Sequence, residues 1–172
     1  PMICMGVNSV SPEDGGPDTL ANEQTLLWGK DATGKLRKFG FNTAGSWSSS
    51  DVIRKLDRPV SYCLRWNVSS HYRNDRKKRH VATGEYSVLY PFDSEFESFC
   101  EQLFQEAHTT REDPWLFGHF SDNELPFREK GIVELYLSHP KDDPNHLAAQ
   151  KFLKDRKVKK VGWKEDRDFL EL

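Results

Sequence analysis

Two stretches of this chain concentrate the residue types that grip phosphate. Arg73-Asn74-Asp75-Arg76-Lys77-Lys78-Arg79 sets five cations against one carboxylate and is flanked by His71, Tyr72 and His80. Guanidinium groups hold phosphate oxygens bidentately, ammonium groups hold them as point charges, and a neighbouring phenol ring offers a base a face to stack on. From Lys151 to Lys164 a second stretch carries seven cations, with Asp155 as its only carboxylate. Cations at a helix C-terminus complement the macrodipole, which accounts for Arg156 and Lys157 but not for Lys159, Lys160 and Lys164. Together these residues predict a non-enzymatic module that engages a polyanion, RNA in preference to duplex DNA, or an acidic protein surface. Arg73, Arg76, Lys77, Lys78 and Arg79 would supply backbone contacts, Tyr72 a stacking platform, and Lys157, Lys159 and Lys160 a second contact line. The same letters also suit a solvated hairpin tip whose charge discourages edge pairing.

Catalytic patterns give the alternative, a phosphodiester-cleaving enzyme. His71 and His80 bracket the first basic run, and two imidazoles facing one another across a hairpin can act as general acid and base on an RNA 2′-hydroxyl and its leaving oxygen. Arg65 and Glu85 would share the solvent-facing side of that hairpin. His139, Asp142 and His146 are nitrogen and oxygen ligands of the kind that hold a catalytic divalent metal. Against this, Asp143-Pro144 reads as an N-cap followed by an N1 proline, and Pro140 as a turn. No phosphate-binding glycine loop, HExxH or GxSxG pattern occurs, so no cofactor is implied. A third reading makes the aromatic stretch 112–130, with Trp115, Phe117, Phe120 and Phe127, a contact for a partner protein. Trp28, Trp47, Trp115 and Trp163 fall near segment ends, where an indole either caps a small core or presents a face for stacking.

The elements that must position these residues follow from pattern and composition. A chain of 172 residues suffices for one core. The net charge of -2 excludes a uniformly basic coat, but it is a cancellation: Glu13, Asp14, Asp18 and Glu23, with Glu95, Glu97, Glu101, Glu106, Glu112 and Asp113, offset the two basic stretches. Cys4, Cys63 and Cys100 are too widely spaced for a metal motif or a disulfide framework and suit a reducing compartment. No apolar run reaches the roughly 18 residues a membrane span needs, and no secretion signal opens the chain, so an intracellular protein is expected.

Residues 1–24 read as a flexible acidic lead-in and 25–172 as a single domain. Thr25–Trp28 and Leu36–Phe41 predict a hairpin around Asp31–Gly34, and Asp51–Leu56 a short helix. Tyr62, Leu64, Trp66 and Val68 alternate with polar or small residues, as do Tyr86, Val88 and Tyr90, which predicts a second antiparallel hairpin with 73–79 as its protruding loop. Ser94 and Glu97 form a capping box ahead of the stripe Phe96, Phe99, Cys100, Leu103, Phe104 and Ala107. Ile132–Leu137 predicts a strand, Pro144 to about Lys157 a helix, and Lys159–Trp163 a last strand. The fold class expected is α+β, with a mainly antiparallel mixed sheet of about five to seven strands and about three helices on one face.

Overall fold

The computed structural model of the chain describes residues 3–16, 19–79, 90–125 and 131–171, with side chains undescribed at 76–79. Contacts sort the chain into two compact units, Pro1–Asn67 with Phe104–Asn123, and Val68–Leu103 with Glu124–Leu172. The second unit thus begins inside the connection between two strands of the first.

The first unit carries a four-stranded sheet of β1 (Gly6–Val7), β2 (Thr43–Ala44), β3 (Ser61–Arg65) and β4 (Leu116–Phe120), in that order. All three pairings are parallel. This corrects the expected mainly antiparallel sheet of five to seven strands with three helices: among the described residues there are four parallel strands and seven α-helices. The reason shows at β3. Ser61, Tyr62 and Cys63 are buried in succession, so both faces of the strand are covered, as a parallel strand requires. The small Ser61 and Cys63 read as the solvent side of an alternation because their size hides their burial.

Helix α1 (Glu23–Lys38) replaces the expected first hairpin. Asn22 and Thr25 cap it reciprocally: the Asn22 side chain accepts from the Thr25 N–H at 3.0 Å and the Thr25 hydroxyl accepts from the Asn22 N–H at 2.8 Å. Gly29 and Thr33 lie on its buried face. A Cβ on Gly29 would sit 2.9 Å from a Val52 methyl, so the glycine permits close approach to α2 (Ser50–Ile53), the short helix expected there. Gly34, read from sequence as a turn residue, is a mid-helix glycine facing open space. Ala44, Ile53, Val60 and Tyr62 form the core of this unit, with Leu36, Leu64 and Leu116 packed against it. The aromatic stretch 112–130 contains β4. Phe117 is the extra residue of a bulge there, since Tyr62 pairs with Leu116 and Cys63 with Gly118.

The second unit is helical. Helix α3 (Val68–Arg79) occupies the place of the predicted basic loop, α4 (Phe96–Phe104) carries most of the aromatic stripe, and α5 (Ile132–Leu137) replaces the predicted strand. They are followed by α6 (Pro144–Asp155), as expected, and by α7 (Trp163–Leu170), which begins where a last strand was expected to end. The six-residue run at α5 fits a buried strand as well as a buried helix on periodicity. Its buried residues Ile132, Val133 and Tyr136 fall at helical spacing. The core joins Tyr72, Tyr90, Ile132, Val133, Tyr136, Ala149, Phe152 and Phe169. Just ahead of α4 the Asp93 carboxylate accepts from the Glu95 N–H. Of the second strand of the predicted hairpin only Tyr90 is described, in this core; Tyr86, Val88, Glu85 and Phe127 lie outside the described residues. Among those residues no helix is long and apolar enough to cross a membrane.

The contrast between Gly29 and Gly34 gives a direct test of α1. Gly34→Ala should raise the unfolding free energy by about 1 kcal/mol, the usual gain for alanine over glycine in an open helix interior. Gly29→Ala should lower it by about 1–3 kcal/mol, because the new methyl overpacks against Val52. Urea titration of the two variants reads both signs, and equal effects would contradict the packing of α1 on α2.

Candidate nucleic-acid interface

The elements expected to bring a catalytic site together place its members apart or employ them otherwise. His71 is exposed on α3, and His80 lies outside the described residues. With a helix at 68–79, the hairpin across which the two imidazoles were to face one another does not form there. Of the metal-ligand candidates, Asp142 is exposed. His146 Nδ1 lies 3.0 Å from the Leu137 carbonyl and 3.1 Å from that of His139, so its N–H closes the end of α5. His139 is buried, with Nδ1 3.3 Å from Asp143 Oδ1. The same Asp143 oxygen accepts from the Asn145 N–H at 2.8 Å and caps α6. Among the described residues no group of three or more His, Cys, Asp or Glu side chains is arranged to hold a metal ion.

Tyr72 is 1% exposed, and its ring packs edge-on against Phe96 and Phe99 at 5.0 Å each. It belongs to the core and offers no face to a base, a correction to its expected role as a stacking platform. Val68 and Tyr72, both buried, are four residues apart, which is the helical spacing of one face. The basic run therefore ends a helix, and part of its charge complements the dipole there. Arg73 is half-buried on α3; of Arg76, Lys77, Lys78 and Arg79 the structure describes backbone position only.

The second basic stretch is better resolved into roles. Lys151 pairs with Asp155 on the surface of α6, and Arg156 lies over the Phe152 ring while its guanidinium pairs with Asp168 at 3.0 Å. Helix α6 then stops in a Schellman turn: the Val158 N–H donates to the Leu153 carbonyl at 2.9 Å and the Lys157 N–H to that of Lys154 at 3.1 Å. Lys157 sits at the position where glycine is usual, with φ of 53°. Lys157, Lys159, Lys160 and Lys164 are exposed and make no ion pair among the described residues. They follow one another along the loop from α6 into the first turn of α7.

Two further residues of α7 matter here: Asp166, to which the sequence assigned no role, and Trp163, which it left between capping a core and presenting a face. Asp166 is 4% exposed, and its carboxylate accepts from the Gly131 N–H at 2.7 Å and the Val133 N–H at 3.1 Å. It thereby caps α5 from α7. Trp163 opens α7, is 54% exposed, and has the Arg167 guanidinium 4.9 Å from its ring centre. The signal for α7 was present in the sequence: Glu165 and Asp166 stand in a first turn and Arg167 in a last, with Asp166 and Phe169 three apart on the buried face.

In the first unit, the Trp66 indole N–H donates to His119 Nδ1 at 3.0 Å with the rings stacked at 5.7 Å, which engages that histidine structurally. Tyr62 donates to Asp113 at 2.7 Å; burial first and this carboxylate second push its phenol well above the ordinary tyrosine range. Burial likewise pushes the Cys63 thiol up. Trp115, Phe117 and Phe120 are each about half exposed, at 43%, 54% and 45%. No protein-family model, curated protein or solved structure matches the chain.

Asp166→Ala should lower the unfolding free energy by about 2–4 kcal/mol, since it orphans two N–H groups at a buried helix start. Asp168→Ala, which breaks its pairs with the exposed Arg156 and Arg167, should cost about 1 kcal/mol or less. Denaturant unfolding of the two variants distinguishes the carboxylate that caps α5 from its surface-paired neighbour.

Proposed function

We propose that the chain is a non-enzymatic binding module whose second unit engages the phosphate backbone of RNA through Lys157, Lys159, Lys160 and Lys164. The cation run at the end of α3, Arg76, Lys77, Lys78 and Arg79, is the second contact line of this reading. One observation carries it above the others: a lysine, exposed and without an ion pair among the described residues, occupies the left-handed position that closes α6. A side chain there costs on the order of 1 kcal/mol relative to glycine, and such local strain concentrates at functional positions. Neighbouring carboxylates do not neutralise the row, because Asp155 and Asp168 are held by Lys151 and Arg156 and Asp166 is turned inward to α5. An irregular loop of this kind follows a flexible phosphate chain without having to fit a groove. The three cysteines form no disulfide, which agrees with an intracellular setting.

Fluorescence anisotropy with labelled single-stranded RNA across a potassium chloride series tests the reading. Replacing Lys157, Lys159, Lys160 and Lys164 with Gln should weaken binding and flatten the salt dependence, by about 0.7 in log–log slope for each phosphate contact removed. Unchanged affinity with an unchanged slope would sink the proposal, and preference for an acidic peptide over RNA would replace RNA with a protein surface. Lys157→Gly separates the two consequences of that residue: stability should rise by about 0.5–1 kcal/mol while RNA affinity falls. A variant that gains stability and keeps full affinity would remove Lys157 from the site.

A further inference from the structure

We infer that Trp163 is a stacking site for an unpaired nucleobase, so that the ligand is single-stranded nucleic acid rather than a polyanion of any kind; this rests on the phosphate-binding reading of the lysine row. Trp163 lies within that row in the chain, between Lys160 and Lys164. Although it opens a helix whose other face is core, 54% of its surface remains exposed, in a position flanked by the lysines. The Arg167 guanidinium, four residues on, lies 4.9 Å from the ring centre and occupies one side of the indole. Arg167 also reaches Asp168 at 3.6 Å, so its guanidinium has an ion-pair partner as well as the ring.

The remaining exposure of the ring is what a base would cover. A cation against one face of an indole orients the ring and leaves the opposite face for an aromatic ligand, whose attached phosphates would meet the lysines on either side. Charge complementarity commits the occupant: an apolar peptide side chain would fill the same face but would gain nothing from Lys159, Lys160 and Lys164. Glu165, the nearest carboxylate in sequence not held in an ion pair or a cap, is half-buried with an oxygen 3.3 Å from where a Cβ on Gly162 would stand, and so turns back toward the start of α7.

The experiment compares three ligands on the full chain: a short oligoadenylate, the same strand in duplex with oligouridylate, and inorganic polyphosphate. Trp163→Ala should weaken oligoadenylate binding about tenfold, the usual loss for one stacked base, and leave polyphosphate binding unchanged. Trp163→Phe, which keeps an aromatic face, should recover most of the loss. Oligoadenylate should quench indole fluorescence in the wild type and not in Trp163→Phe. Equal weakening for oligoadenylate and polyphosphate, or no weakening for either, overturns the stacking site while leaving the lysine row standing. A wild-type protein that prefers the duplex also overturns it, and one that binds none of the three overturns the phosphate reading with it.

Discussion

The second unit depends on one buried carboxylate. A short helix such as α5 starts with N–H groups that have no partner within the helix, and Gly131, which precedes it with φ of 78°, has no side chain to cap them. Asp166 supplies the acceptor from α7, and the positive end of α5 in turn helps hold the charge that burial would otherwise penalise. Because both oxygens are used, the rotation of α7 about its axis is fixed. Phe169, three residues on, is then directed into the core against Phe152 at 5.1 Å and Tyr136 at 5.7 Å. Trp163, Lys164 and Arg167 are left on the outer face. A capping bond therefore decides which side chains this unit presents to solvent.

In the first unit the corresponding constraint is two-sided burial at β3. Tyr62 is fully buried between β2 and β4 and can keep its hydroxyl there only because Asp113 accepts a hydrogen bond from it. Parallel pairing cannot be made by a tight turn, so each strand needs a crossover. Helix α1 provides the first, between β1 and β2, and Gly29 lets it approach α2 closely enough to pack. The longest connection, between β3 and β4, contains the opening part of the second unit.

Where the sequence was legible, a single physical cause acted locally. Asp143 and Pro144 mark the start of α6 without help from distant residues, and the five residues of the apolar stripe that fall in α4 coincide with its less exposed face. Where it was not, the deciding partner lay far along the chain or the cue was ambiguous in kind. Ile132–Leu137 has strand composition, and what makes it helical is a cap 33 residues away at Asp166. The run at 73–79 looked like a loop because clustered cations resist burial, yet an exposed helix face satisfies that requirement equally well, and Val68 with Tyr72 carried the helical spacing. Gly34 was read as a turn residue although Asn22 and Thr25 had already set a helix through it. The lysine row was legible as composition; Trp163 was legible only as an indole near a segment end that either caps a core or presents a face, and its 54% exposure comes only with the structure.

The net charge of -2 misleads for the same reason. A formal count treats every carboxylate as a surface charge, but several here are consumed by the fold. Asp93, Asp143 and Asp166 accept backbone N–H groups at or just ahead of helix starts, Asp113 accepts from Tyr62 and the Trp115 N–H, and Asp155 and Asp168 are paired. A carboxylate facing N–H donors and a helix dipole presents little of its field to an approaching ligand. Lysines on the loop after α6 have no such internal use, and their flexible stems keep each ammonium in water. The balance that appears neutral in composition is thus divided by structure: acids hold helices in place, and the cations of 157–164 are left facing outward.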